Sequence, residues 1–182
     1  GRSNEVTTAI QKLSRFYKLT LSRKKSLSTI ADEVEHASIY VQLQNMRYNH
    51  CADFIADIPP ELGSLTIPKL TFQPIVENAL LHGILMKEEK KGCILLTGWR
   101  EGEDAVLVIS DDGAGIAPEK LDTLLDSLSA DNGLTSLRHI GVSNTNLRLK
   151  SLYGDAYGLS FTSTPGQGTE VTVRIPARPV SL

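Results

Sequence analysis

Ala105-Val-Leu-Val-Ile-Ser110 is a nearly unbroken run of Val, Ile and Leu that ends directly on Asp111-Asp-Gly-Ala-Gly-Ile116. Read as a strand, it pairs with Cys93-Ile-Leu-Leu-Thr-Gly-Trp99 across the hairpin turn Arg100-Glu-Gly-Glu-Asp104. A strand without polar alternation needs cover on both faces, so the chain must build a sheet with other elements packed on it. That covered sheet must also present a carboxylate and two glycines at its rim.

The 182 residues suffice for one good-sized domain plus an appendage. Hydrophobic residues make up 41% and the formal net charge is −2, from 19 basic and 21 acidic residues. A balance this even gives no polyanion-binding surface, so nucleic acid is not expected as a partner. Cys51 and Cys93 have no CxxC spacing and no supporting histidine pattern, which points to reduced thiols acting as small apolar residues and to no zinc site. No apolar run approaches the roughly 18–20 residues that span a bilayer. The start at Gly-Arg-Ser-Asn, without Met, reads as a cut end, so a membrane segment elsewhere in a longer parent chain stays open.

Residues 5–25 carry Val6, Ile10, Leu13, Tyr17 and Leu21 at helical spacing, with Arg23-Lys24-Lys25 near the helix end. Thr29-Ile-Ala-Asp32 is a helix-start pattern, and the helix to about Tyr48 has Ile30, Val34, Ala37, Val41 and Tyr48 on one side. Two such helices form a hairpin or arm that must bury its stripe on a domain or on a second copy. His36 lies between charged neighbours and reads as a surface histidine. Cys51 to Ile58 reads as a short edge strand stopped by Pro59-Pro60.

Leu70 to Ile84 then reads as a helix with Ile75, Ala79 and Leu80 or Ile84 inward, and Pro74 near its start. Asn78 and His82, four residues apart, leave one face of it. Later come a short helix after Pro118, a polar stretch from Ser129 to Ile140 that reads as a mobile lid, and a helix from Gly141 to Gly154. Two strands, Leu159 to Ser163 and Glu170 to Ile175, close the chain around Thr164-Pro-Gly-Gln-Gly168.

No Walker loop and no Gly-x-Gly-x-x-Gly after the first strand occur, which excludes those phosphate cradles. The residues suit another way of holding a nucleotide. Asp111 at a strand end can accept from an adenine amino group, while Gly113 and Gly115 let backbone pass close to a flat ring. The helix after Gly141 offers N–H groups and positive dipole to phosphates. Magnesium takes oxygen ligands and keeps several waters, and the Asn78 amide oxygen can serve.

This order resembles the GHKL ATPase/kinase superfamily and, within it, the LytS/YesM group of sensor histidine kinases. Gln73-Pro-Ile-Val-Glu-Asn-Ala-Leu-Leu-His-Gly83 resembles the N box, Asp111-Asp-Gly-Ala-Gly-Ile116 the first glycine box, His139 to Gly154 the second and Gly166-Gln-Gly-Thr169 the last. Leu13-Ser-Arg-Phe16, Glu33-Val-Glu-His36, Tyr40 and Gln44-Asn-Met-Arg-Tyr48 are similar to the tail of that group's helical region. The resemblance implies an α/β fold of Bergerat type: a two-layer sandwich with a mixed sheet, helices on one face and two N-terminal helices in front. It implies a helical tail over 1–50 and an ATP-binding catalytic domain over 51–182. It further implies ATP and Mg2+ as cofactors, Asn78 as magnesium ligand and His82 beside the nucleotide. Asp111 would take the adenine, with Gly113, Gly115 and Ile116 lining the ring and Thr169 supporting Asp111. Gly141, Val142, Asn144 and Arg148 would stand near lid and phosphates. The parent protein would be a membrane-anchored homodimer with this domain in the cytoplasm, passing phosphate from a His to an Asp of a response regulator.

Two departures bear on mechanism. The second box reads His139-Ile-Gly-Val142 where the family has Gly-x-Gly-Leu, which stiffens the lid hinge. Pro74 stands four residues before Asn78, where ATP-hydrolysing members such as DNA gyrase carry a Glu. Without that base water is not activated, which favours a kinase over an ATPase or conformational clamp. A domain that binds partners without nucleotide is the other alternative, and His139 is its only hint. The group's phosphoacceptor lies in an Asn-Pro-His-Phe-type segment, and His36, His50, His82 and His139 all sit in other contexts. The chain is therefore expected to bind nucleotide without phosphorylating itself. Labelled ATP should leave no stable, acid-labile phosphate on it, and such a phosphate would overturn the expectation.

Overall fold

The computed structural model describes residues 2–21, 26–129 and 140–178. Helix α1 (Arg2–Leu21) leads through strand β1 (Leu27–Thr29) into α2 (Ile30–Arg47). The expected cap is in place: the Thr29 hydroxyl accepts from the Asp32 N–H at 3.1 Å. Strand β2 (Ala52–Asp57), a short turn of helix α3 (Pro60–Gly63) and strand β3 (Thr66–Pro68) follow. The sequence reading missed β1 and β3, which pair antiparallel as a two-stranded ribbon; three residues carry too little periodicity to register.

Helix α4 (Phe72–Asn78) does not run to Ile84 as one α-helix. After Asn78 it widens into a π-turn over Ala79–Gly83 and tightens into a 3-10 turn over Ile84–Met86. The main sheet then takes β4 (Gly92–Glu101) and β5 (Asp104–Asp111), joined by the turn at Gly102 with φ 62°. Helices α5 (Pro118–Ser129) and α6 (Ile140–Tyr153) precede the last hairpin, β6 (Gly158–Thr164) and β7 (Gly168–Pro176). The five-stranded sheet has the order β2-β4-β5-β7-β6. Only β2 and β4 pair parallel, so the sheet is mixed. A parallel pair needs a crossover, and here the crossover contains α4.

The helices gather on the sheet face that carries Ala105, Leu107 and Ile109. These residues share one cluster with Ile30, Ala37 and Val41 of α2, Ile75 and Val76 of α4, Leu80, Leu149 of α6 and Val173. Val106 and Val108 point to the other face and are buried as well. Their cover there includes cross-strand neighbours: Trp99 and Arg174 flank Val106, Thr97 and Thr172 flank Val108. Both sides of the apolar strand are thus covered, by unlike means.

His36 is not a surface residue. It is 2% exposed, its ring stacks on Phe16 of α1 at 4.3 Å, and its Nε2 lies 2.9 Å from the Thr20 hydroxyl. The acidic neighbours that made it look exposed lie elsewhere: Glu35 pairs with Arg15 at 2.7 Å, and Glu33 turns inward. Charge next to a residue in sequence says nothing about the helix face it occupies. Asn146 ties three elements together, donating to the Leu128 carbonyl at 3.1 Å and accepting from the Leu159 N–H at 2.9 Å.

Candidate nucleotide site

The site is built where β5 ends. Asp111 keeps the inward orientation of Leu107 and Ile109, so its carboxylate faces the helical layer. Across the sheet it stands opposite Thr169, which stands opposite Ser163. Asp111 Oδ1 accepts from the Gly113 N–H at 2.8 Å, and the Thr169 backbone N–H also bonds the carboxylate. The Thr169 hydroxyl lies 2.9 Å from Ser163 Oγ, which accepts from the Ile116 N–H at 2.9 Å and donates to the Gly168 carbonyl at 2.8 Å. Burial pushes the Asp111 carboxyl up to about 6, against the two N–H groups that favour its ionised form.

Two glycines close over this carboxylate. A Cβ on Gly113 would lie 2.5 Å from Asp111 Oδ1 and 2.5 Å from the Gly83 backbone. A Cβ on Gly83 would meet Asp111 Oδ1 at 2.7 Å. The Ala114 N–H donates to the Gly83 carbonyl at 3.1 Å, so the π-turn and the glycine loop are joined backbone to backbone. Gly115, at φ 69°, runs against the Thr164 carbonyl, where a Cβ would sit at 2.2 Å, and the Gly166 N–H reaches the Ala114 carbonyl at 2.7 Å. Glycine is required at each of these points, by close approach at Gly83 and Gly113 and by positive φ as well at Gly115.

Asn78 is the last α-helical residue before the π-turn. Its amide is half-buried and has no hydrogen-bond partner among the described residues. Single π-turns occur frequently at functional sites. Because the turn holds an extra residue, His82 does not stand where regular i, i+4 spacing puts it; it is exposed. On α6, Gly141 abuts Pro74 of α4, with a would-be Cβ 3.2 Å from the Pro74 Cβ. Val142 and Ser143 are buried and Asn144 is exposed. The Ser143 hydroxyl is buried without a partner in the first turn of α6. The Arg148 guanidinium donates to the Lys69 carbonyl, just before α4. The lid stretch with His139, and Arg23-Lys24-Lys25, lie outside the described residues.

The structure thus brings Asp111, Gly113, Gly115, Ile116 and Thr169 together at one sheet end, with the turn after Asn78 against them. It adds Gly83 and Ser163, which sequence reasoning left out. Gly83 had a signal, since a glycine directly after a helical His82 invites a close contact. Ser163 had none, because it becomes part of the site only through the register of β6 on β7.

Comparisons with known proteins agree with this geometry. A family model described as histidine kinase-, DNA gyrase B-, and HSP90-like ATPase matches residues 66–179, and one described as histidine kinase matches residues 1–52. The chain is 31% identical over 176 residues to the sensor histidine kinase BtsS of Escherichia coli strain K12, covering 97% of this chain and 28% of that protein. It is 32% identical over 181 residues to the sensor protein LytS of Streptococcus mutans, covering 96% and 29%. To the sensor histidine kinase YesM of Bacillus subtilis it is 25% identical over 188 residues, covering 98% and 29%. The chain therefore spans less than a third of the length of these relatives. Among solved structures, the catalytic domain of histidine kinase ThkA superposes with a TM-score of 0.61 at 12% identity, covering 85% of this chain and 97% of that one. The histidine kinase domain of the Erythrobacter litoralis EL346 blue-light activated kinase does so with 0.56 at 17% identity, covering 94% and 74%. The chain belongs to the histidine kinase-, DNA gyrase B- and HSP90-like ATPase family and carries the ATP-binding catalytic domain of a sensor histidine kinase.

Proposed function

We propose that this chain holds magnesium-ATP and presents its γ-phosphoryl group to a histidine of the longer protein, from which phosphate passes to an Asp of a response regulator. The observation that carries the reading is the half-buried Asp111 carboxylate under the touching glycines Gly83 and Gly113. It suits a flat, amino-bearing base: the carboxylate accepts from the amino group, and Gly113, Gly115 and Ile116 lie along the ring. The partnerless Asn78 amide fits one oxygen position of a hydrated magnesium, and the exposed His82 of the π-turn that follows would stand beside the nucleotide. Gly141 and Val142 in the first turn of α6 supply N–H groups and positive dipole toward the phosphates, and the exposed Asn144 side chain follows them. Thr169 holds Asp111 from its backbone.

Magnesium, when bound, neutralises phosphate charge. The chain's own residues position the nucleotide and keep water from acting as nucleophile. Pro74, packed against Gly141, carries no group that could activate water, which supports phosphoryl transfer over hydrolysis. Residues 1–50 are read as the tail of the dimerisation and phosphoacceptor region and 51–182 as the nucleotide-binding domain. The outer stripe of α1 supports a homodimer: Val6, Ile10, Leu13, Tyr17 and Leu21 recur at helical spacing and stay 45% to 62% exposed. Among the described residues no helix is long and apolar enough to cross a membrane; an anchor elsewhere in the parent protein belongs to this proposal.

Three outcomes follow from this reading. Asn78→Ala should remove magnesium-dependent binding of an ATP analogue, read by calorimetric titration with and without the metal; unchanged affinity would sink the assigned role. In sedimentation, the chain should associate and Leu13→Glu should be monomeric, whereas a monomeric wild type argues against the α1 interface. The third concerns Asp111. Its folded pKa, about 6, lies above the ordinary 3.8, so protonation of the site favours the folded state. That contribution is complete below about pH 4 and is lost as pH rises through 6. Ligand-free Asp111→Asn should therefore be more stable than wild type at pH 7.5 by on the order of 1–3 kcal/mol, and the gap should close near pH 4. A gap independent of pH in thermal unfolding refutes the assignment.

A further inference from the structure

The chain enters α4 through a bend that no local side chain caps. Leu70 takes φ 58°, a left-handed conformation that costs a non-glycine residue about 1 kcal/mol. Thr71, the residue before the helix, donates its hydroxyl back to the Pro68 carbonyl at 2.6 Å instead of capping. Thr71 and Phe72 are wholly buried, so water cannot serve the first N–H groups of the helix.

Their acceptor arrives from another helix. Glu33 of α2, 3% exposed, accepts from the Leu70 N–H at 3.1 Å through Oε1 and from the Thr71 N–H at 2.9 Å through Oε2. The Phe72 N–H bonds the same carboxylate. Burial pushes the Glu33 carboxyl up, and the three N–H groups and the Arg148 charge pull the other way. Arg148 of α6 grips the same bend from its carbonyl side, donating to Lys69. The Lys69 N–H in turn bonds the Ser26 carbonyl at 3.0 Å, beside β1.

Helix α6 meets α4 a second time at the Gly141–Pro74 contact. Gly141 and Arg148 are separated by about 10 Å along the axis at 1.5 Å per residue. Helix α6 therefore splints α4 at two points, and α2 holds its N-terminal turn. A buried carboxylate capping a helix is by itself an ordinary stabilising device. Its place here makes it more, because the helix so held ends on Asn78 and then opens into the π-turn that touches the Asp111 loop.

We propose that Glu33 and Arg148 are positioning residues for the nucleotide site: by fixing the first turn of α4 from two separate helices, they set where the Asn78 amide stands. This rests on the role of Asn78 proposed above. Asn78 belongs to the helix that these two residues hold, whereas Asp111, the carboxylate proposed for the base, stands on β5 and is fixed by Gly113 and Thr169, so their effect falls on the magnesium and phosphate end of the ligand.

The test uses the whole chain and two probes, a non-hydrolysable ATP analogue with magnesium and adenosine alone. Glu33→Gln keeps the shape of the side chain and loses its charge; it should weaken the magnesium-dependent affinity about tenfold while leaving adenosine affinity unchanged. Arg148→Met should act in the same sense and shift the Asn78 side-chain amide resonance, with Arg148→Lys restoring part of both. Full magnesium-ATP affinity in Glu33→Gln and Arg148→Met, or a proportional loss for adenosine, makes the pair merely structural and overturns the inference. If Glu33→Gln fails to fold, the exposed Arg148 decides the matter by the same readouts. A wild type that binds neither probe refutes the nucleotide reading and this inference with it. A wild type that binds both, with Asn78→Ala losing the metal dependence and the other variants unaffected, refutes this inference alone.

Discussion

Two backbone segments, at Gly83 and Gly113, come into contact above one half-buried carboxylate, and the end of the molecule that faces the nucleotide depends on that contact. Any side chain at either glycine would collide with Asp111 or with the opposite main chain. The approach holds the π-turn after Asn78 against the loop after β5 through the Ala114–Gly83 hydrogen bond. It also encloses Asp111, and enclosure raises the proton affinity of the carboxyl group. A carboxylate kept ionised at neutral pH in such surroundings is a cost to the empty protein that a donor from the bound base can offset.

The helical hairpin is part of the same body. Ile30, Ala37 and Val41 of α2 lie in the cluster that holds Ile75, Leu107 and Ile109, so α2 contributes to the core beneath the site. Helix α1 is attached by the His36–Phe16 stack, the His36–Thr20 hydrogen bond and the Arg15–Glu35 pair, which as an exposed ion pair adds little. Its outer stripe remains uncovered, while α2 reaches the start of α4 through Glu33. The hairpin is thereby joined to α4 by charge-assisted hydrogen bonds as well as by side-chain packing.

The main elements could be read from the chain because they obey simple periods. Residues 105–110 read as a strand covered on both faces and are one; Thr29 caps α2; Gly102 turns the hairpin; Asp111 and its glycines stand at the rim. Failures came where period does not decide. His36 was misplaced because of its acidic neighbours: Glu35 lies on the outer side of α2 with Arg15, and Glu33 is itself buried as a helix cap. The π-turn was invisible, since local sequence at Ala79–Gly83 is ordinary helix and the widening accompanies a contact with the glycine loop about thirty residues away. Ser163 and Glu33 became meaningful only through register and tertiary contact. The contact of the Arg148 guanidinium with the Lys69 carbonyl likewise exists only through the packing of α6 on α4.

The one parallel pair, β2 with β4, makes α4 part of a crossover enclosed between strands that must find each other across a long stretch of chain. Such pairings are entropically late, because the loop must close before the contacts reward it. Asp111, Thr169 and Ser163 add the same requirement on the other side, since their row exists only once β7 and β6 have docked on β5. The row is therefore complete only with both strands of the last hairpin in place. A nascent or clipped chain lacking the final hairpin lacks the backbone donor to Asp111 and the hydroxyl pair beside it, so the last strands to be made complete a floor that β5 begins.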